Sequence, residues 1–154
     1  KHNAGDAATN AGIGSQAFSN SLNYAANSIF EWDINASSTS SGFDTVSAAG
    51  NIDVSNTGTV FKVIFGTTAL GDVQNTGNAF WNTPFGTQTW NMSDIFGKAF
   101  TTGAFQSVQT SADVSSHGAF TINGTSLTWT AVPEPTSALA GLLITAGLLR
   151  RRRA

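Results

Sequence analysis

Two acids stand two residues apart in the run Ile29-Phe30-Glu31-Trp32-Asp33-Ile34, and paired carboxylates are the equipment of acid–base attack on glycosidic bonds. On a strand such neighbours share a face about 7 Å apart, a spacing that suits an inverting hydrolase. The outward face of a strand beside turns is also where acids sit for solubility, and no substrate groove is evident around them, so no catalytic residue is assigned. The two histidines, His2 and His117, give little more. His117 with Asp113 and a nearby serine would compose a Ser-His-Asp set, but with 17 serines in the chain the match selects nothing. Zinc and other transition metals have no constellation, because Cys is absent and the two His are far apart. Asp33, Asp44, Asp53 and Asp72 with neighbouring Asn are oxygen donors of the kind calcium takes, yet they lack the spacing of a calcium loop. No metal and no cofactor are therefore assigned. Trp81 and Trp90, in an irregular stretch rich in Thr and Asn, are the candidates for stacking on a sugar ring; Trp32 and Trp129 alternate with polar residues and read as core.

The elements that would hold these residues follow from composition. In 154 residues there are 20 Thr, 17 Ser, 13 Asn and 16 Gly, with only 10% charged side chains. Strong helix formers are scarce, whereas Phe, Trp, Val, Ile and Thr recur in short alternating runs, which predicts an all-β chain of short strands and turns. Hydrophobic residues at 40% are enough for a core. The net charge of −2 conceals an asymmetry, since four of the seven basic residues close the chain. Residues 1–133 carry three Lys against eight acids, a net of −5. An acidic body with scattered Lys does not attract phosphate backbones, so nucleic acid is set aside as a partner.

Alternation is clearest at 29–34 and 60–65. Phe30, Trp32 and Ile34 share one face and Glu31 and Asp33 the other; Phe61, Val63 and Phe65 repeat the phase at an offset of 31. Upstream, Leu22-Asn23-Tyr24 matches Ile52-Asp53-Val54 at an offset of 30. A repeat of this kind predicts coils whose equivalent strands stack in parallel, about 4.8 Å apart, with Phe30 on Phe61, Trp32 on Val63, Ile34 on Phe65 and Glu31 over Lys62. Polar connections at 35–42 and 55–58 suit turns. The segment with Trp32-Asp33, then Gly42-Phe43-Asp44-Thr45-Val46, Gly50, Ile52 and Val54 resembles the passenger-type β-helix repeats of autotransporter-like adhesins, over residues 22–65. That resemblance implies a scaffold and brings no functional residues with it. Between 66 and 115 the pattern loosens, the best strands being 88–92 and 105–109. Runs at 119–123 and 126–131 flank Asn123-Gly124, a hairpin signal, and would cover the last coil.

The C-terminal segment differs from all of this. Pro133-Glu134-Pro135 precedes fourteen residues without a charge, 136–149, and then Arg150, Arg151, Arg152 and Arg153. A helix of that length spans roughly 21 Å, short of the ~30 Å hydrocarbon core, but it is apolar all round, which points to lipid rather than to a half-buried surface helix. The arginines would hold their end in the cytoplasm and leave the body on the far side of the membrane. Val132-Pro133-Glu134-Pro135-Thr136-Ser137, an apolar segment and a terminal arginine run together resemble the PEP-CTERM sorting signal of Gram-negative bacteria. The resemblance covers residues 132–154. It implies an exosortase, an integral-membrane protease, as partner, with Pro133, Glu134 and Pro135 as the sorting motif. It also implies Arg150 to Arg153 as the cytoplasmic stop, transient residence in the inner membrane, and a mature product at the cell surface or outside it, associated with exopolysaccharide and biofilm matrix.

The opening Lys1-His2-Asn3-Ala4-Gly5-Asp6 has neither an initiator Met nor an apolar export segment, so the expectation is that the chain continues from something longer. Three parts are expected: a polar N-terminal segment at 1–20, a β-solenoid-like body at 21–132, and the sorting tail at 133–154. The fold expected is an all-β, right-handed parallel β-helix or solenoid-like fragment with a C-terminal apolar helix; the alternative is a jelly-roll β-sandwich, in which the same strands pair antiparallel. The corresponding functions are a non-enzymatic, exported structural protein of the cell surface or matrix and, alternatively, a carbohydrate-binding module or adhesin using Trp81 or Trp90. A third, minor reading is a polysaccharide-acting enzyme with its catalytic part upstream of Lys1.

Overall fold

The computed structural model describes residues 1–5 and 12–132, so the tail at 133–154 lies outside the described residues. Chain order begins with seven strands: β1 (His2–Asn3), β2 (Ser15–Phe18), β3 (Leu22–Asn23), β4 (Ile29–Ile34), β5 (Thr45–Ala48), β6 (Ile52–Val54) and β7 (Val60–Phe65). Helices α1 (Thr67–Gln74) and α2 (Ala79–Asn82), strand β8 (Thr87–Asn91) and helix α3 (Met92–Phe96) follow. The described chain closes with β9 (Thr102–Gly103), β10 (Ser107–Thr110), β11 (Gly118–Ile122) and β12 (Ser126–Ala131). The described residues are mostly β with three short helices, their strands arranged in small sheets of both parallel and antiparallel kinds.

The repeat in the sequence appears as strand pairing. β4 lies parallel to β7 with Phe30 opposite Phe61, Glu31 opposite Lys62, Trp32 opposite Val63 and Ile34 opposite Phe65. β3 lies parallel to β6, Leu22 opposite Ile52, at the offset of 30. The same offset governs a pair that alternation does not show, β2 with β5, where Ser15 meets Thr45. β1 and β10 extend the first ladder to the order β1-β4-β7-β10, and β9 extends the second to β3-β6-β9, every neighbour parallel. Antiparallel pairing among the described residues is confined to β8, β12 and β11, with one isolated bridge between Ile34 and Phe43. A jelly roll needs antiparallel neighbours throughout, which these ladders do not have.

Packing follows the predicted face. Phe30, Trp32, Ile34, Phe61 and Val63 are fully buried and Phe65 nearly so, with the Phe30 and Phe61 rings 5.3 Å apart and edge-on. One tight approach fixes the closing hairpin: a Cβ on Gly118 would collide with the Trp129 indole, so only a hydrogen fits between strand and ring.

Several boundaries differ from expectation. The polar N-terminal segment at 1–20 contains β1 and β2, which pair with β4 and β5. The loose middle contains three helices where the pattern predicts only strands. α1 buries Ala69 and Val73, an i, i+4 pair, and α2 is opened by Asn78, whose side chain accepts hydrogen bonds from the N–H groups of Phe80 and Trp81. The strand expected at 88–92 ends at Asn91, because Met92 begins α3, and the one expected at 105–109 starts at Ser107. The hairpin is present, with the turn centred on Gly124 and Thr125. Asn123 occupies the first position, its side-chain oxygen accepting the N–H groups of Thr125 and Ser126.

Candidate functional site

The acids of β4 are not on a wet face. Glu31 is 6% and Asp33 3% exposed, and Asp44, just before β5, is fully buried. The strand divides its faces as the alternation predicts, but its outer side is covered, by residues 1–5, by Gly14 and by the chain entering β5. Lys1 Nζ lies 2.8 Å from Glu31 Oε2, and Lys62 Nζ, from the next strand, 3.1 Å from Oε1. Burial alone would push the Glu31 carboxyl up, but the hydrogen bonds and charges of the two lysines outweigh it and hold the group below its ordinary value.

Two residues along, Asp33 and Asp44 form a carboxyl pair. Asn3 Nδ2 donates to Asp33 Oδ2 at 3.1 Å, Gly14 N–H to Asp44 Oδ1 at 2.7 Å, and the Asp33 N–H to Asp44 Oδ2 at 3.2 Å. The two carboxyls face one another within hydrogen-bond reach. Burial pushes the Asp44 carboxyl up to about 6, against the pull of its N–H donors, and the negative Asp33 beside it adds to the rise; burial raises Asp33 as well. Like charges in one buried pocket favour a shared proton. Neither carboxyl can touch a substrate at this depth. The pair is a clasp, tying the N-terminal residues and β5 to β4.

The other acids are scattered. Asp72 accepts from Ser37 Oγ at 2.6 Å, and Asp53 accepts the Ser55 N–H at 2.8 Å. Of the four aspartates considered for calcium, only Asp33 and Asp44 meet, and no group of three or more His, Asp or Glu that would hold a metal occurs among the described residues. Asp113 engages Ser115, its Oδ1 accepting from both N–H and Oγ–H, rather than His117. His2 sits between the Tyr24 hydroxyl, at 2.8 Å, and Gln16 Oε1, at 2.5 Å.

Trp81 and Trp90 require a correction. Both are fully buried, their rings stacked with centroids 5.8 Å apart, and Trp129 meets Trp81 edge-on at 5.5 Å. No ring face is left for a sugar. Each indole N–H instead ties down a distant segment: Trp81 donates to Ser37 Oγ at 2.9 Å, Trp90 to Ser38 O at 3.0 Å, Trp129 to Trp81 O at 2.8 Å and Trp32 to Asp44 O at 3.0 Å. Irregular spacing in the sequence reflects helix and loop insertions around one aromatic core, not exposure.

Sequence reasoning missed the Asp33–Asp44 pair. The only local signal is that each acid follows a core aromatic, Trp32 or Phe43. Pro133, Glu134, Pro135 and Arg150 to Arg153 lie outside the described residues. Among the described residues no helix is long and apolar enough to cross a membrane. Compared with protein-family models, curated proteins and solved structures, the chain gives no match.

Proposed function

We propose that this chain is an exported, non-enzymatic structural protein of the cell surface or extracellular matrix, sorted by a PEP-CTERM-type tail, whose body is a short right-handed β-helix-like stack. The observation that carries the reading is the succession of sequence features at the C-terminal end: Pro133-Glu134-Pro135, a fourteen-residue uncharged segment, and four consecutive arginines. Such a segment holds the chain in the inner membrane with its arginines inside while the body lies outside. An exosortase then releases the body.

Support for the scaffold half is the parallel pairing at offsets of 30 and 31, in which each turn of chain templates the next. The antiparallel sheet of β8, β12 and β11 is compatible with the closing element that stacked coils require. The acids are spent on holding the coils together: Glu31 is bridged to Lys62 across neighbouring strands, and Asp33 and Asp44 fasten the first turn. A surface of hydroxyl and amide groups hydrates well and touches exopolysaccharide weakly at many points.

The test is processing. In an exosortase-bearing host, replacing Pro133, Glu134 and Pro135 by alanine should trap the protein at the inner membrane, whereas the unmodified chain reaches the surface with its arginines removed. Recovery by mass spectrometry of a mature surface protein still ending in Arg-Arg-Arg-Arg-Ala would show a permanent anchor and overturn the sorting reading.

A further inference from the structure

A groove of about 570 Å³ runs between the serine-rich loop that follows β4 and the junction of β8 with α3. One wall carries Ser40 and Ser41, the other Thr89, Asn91 and Asp94, and Thr45 lines it between them. The size is that of a ligand site. Phe43 also lines it but is only 6% exposed, so little apolar surface is offered.

We propose that this groove binds a segment of uncharged polysaccharide. The inference rests on the reading of the body as an extracellular scaffold and names the ligand class it would hold. Hydroxyls and a primary amide both donate and accept, matching sugar hydroxyls, which do the same. Asn91 Nδ2 donates to Asp94 Oδ2 at 2.9 Å, which fixes the amide plane against the carboxylate. That leaves a second amide N–H and further oxygens to meet neighbouring sugar hydroxyls. Among the described residues no Lys or Arg lines the groove, so an acidic polymer would meet the Asp94 carboxylate without a counter-charge from them.

Rigidity is the second argument. Ser37 and Ser38, which lead into the loop, are held by the indole N–H groups of Trp81 and Trp90, and Ser37 is fastened further to Asp72. A wall pinned to the aromatic core loses little freedom when a ligand arrives, which offsets the modest strength of individual hydrogen bonds. Thr89 and Asn91 project from β8 on the side opposite the buried Trp90, so the strand that anchors one wall presents the other.

Affinity electrophoresis of the full-length chain in mild detergent tests the proposal, with a soluble glucan, a mannan and a galactan as neutral probes and polygalacturonate as the acidic one. At least one neutral polymer should retard the protein, and polygalacturonate should retard it far less. The double variant Asn91→Ala/Asp94→Ala should weaken neutral retardation about ten-fold, the loss expected for one or two hydrogen bonds. Both side chains are exposed; Asn91 stands at the N-cap position of α3 without a side-chain capping bond and Asp94 lies in its first turn, so the melting temperature should fall only slightly, and circular dichroism checks that the variant is folded. Asp94→Lys should raise binding of polygalacturonate. Absence of retardation by all three neutral polymers, undiminished retardation of the folded double variant, or equal retardation by polygalacturonate would overturn the groove. Tail processing is read separately by mass spectrometry, so failure here leaves the sorting reading standing, and failure there leaves this assay unaffected.

Discussion

The chain up to Phe65 and the chain from Gly66 to Val132 are built on different rules. In the first part strands pair in parallel at offsets of 28, 30 and 31, and inward side chains are apolar on both partners, Phe on Phe and Trp on Val. In the second, the step from β7 to β10 widens, Val60 pairing with Ser107, and the extra chain is folded into three helices and an antiparallel sheet over the same core. Stacked strands are specified by their neighbours, so a local pattern suffices. The antiparallel region is instead held by large aromatics that interlock rather than repeat: Trp81, Trp90, Phe120 and Trp129 lie within 6.4 Å of one another by ring centroids along the pairs they form.

The largest expected effect breaks the antiparallel region. Trp81→Ala should cost about 3–5 kcal/mol, since it leaves a large cavity among packed rings. Amide exchange should rise first in β8, β11 and β12 while β4 and β7 stay protected. Trp81→Phe keeps most of the ring and loses the bond to Ser37, so it should cost roughly 1–2 kcal/mol and loosen the serine loop specifically. Equal loss of protection in both regions would show that they unfold as one unit.

A middle-sized effect belongs to the ladder half and to pH. The Asp44 carboxyl is raised in the folded state, to about 6. The folded chain therefore holds its proton more tightly than the unfolded chain does, and stability falls as pH rises from about 4, the ordinary aspartate value, through 6. Glu31, held below its ordinary value, acts in the opposite sense and gives stability that is lost only at lower pH. Asp33→Asn removes the facing charge while keeping a hydrogen-bonding amide against Asp44. At pH 8 it should stabilise, and the decline between pH 4 and 6 should become shallower without vanishing, because burial, the larger cause of the Asp44 rise, remains. Chemical denaturation across that range checks it, and an unchanged pH profile would show that the carboxyl pair does not govern stability.

The smallest effect lies at the seam before β7. Thr59 is fully buried and its Oγ1 has no hydrogen-bond partner among the described residues. Thr59→Val keeps the shape and removes the orphan hydroxyl, so it should stabilise by about 1 kcal/mol, visible as a small rise in melting temperature. A loss of stability would show that the hydroxyl is satisfied by water.

Features that depend on near neighbours and on repetition are legible in the residues alone. Alternation in Ile29–Ile34 and Val60–Phe65 placed Phe30, Trp32 and Ile34 inward, and the offset of 31 put Glu31 beside Lys62. The hairpin was legible from Asn123-Gly124, but its turn centres one residue further on, at Gly124-Thr125, because the Asn123 side chain takes the first position and accepts the N–H groups of Thr125 and Ser126. Only the tertiary structure decided which faces stay dry. Glu31 and Asp33 look solvent-facing on their strand, and they are buried because Lys1, Asn3 and Gly14, from segments with no strand pattern of their own, fold across them. Trp81 and Trp90 likewise look available among Thr and Asn, yet they are core because the loop at Ser37 and Ser38, far back along the chain, supplies partners for their N–H groups. Periodicity states how a segment divides its two faces; whether either face meets water depends on distant chain that no local pattern names.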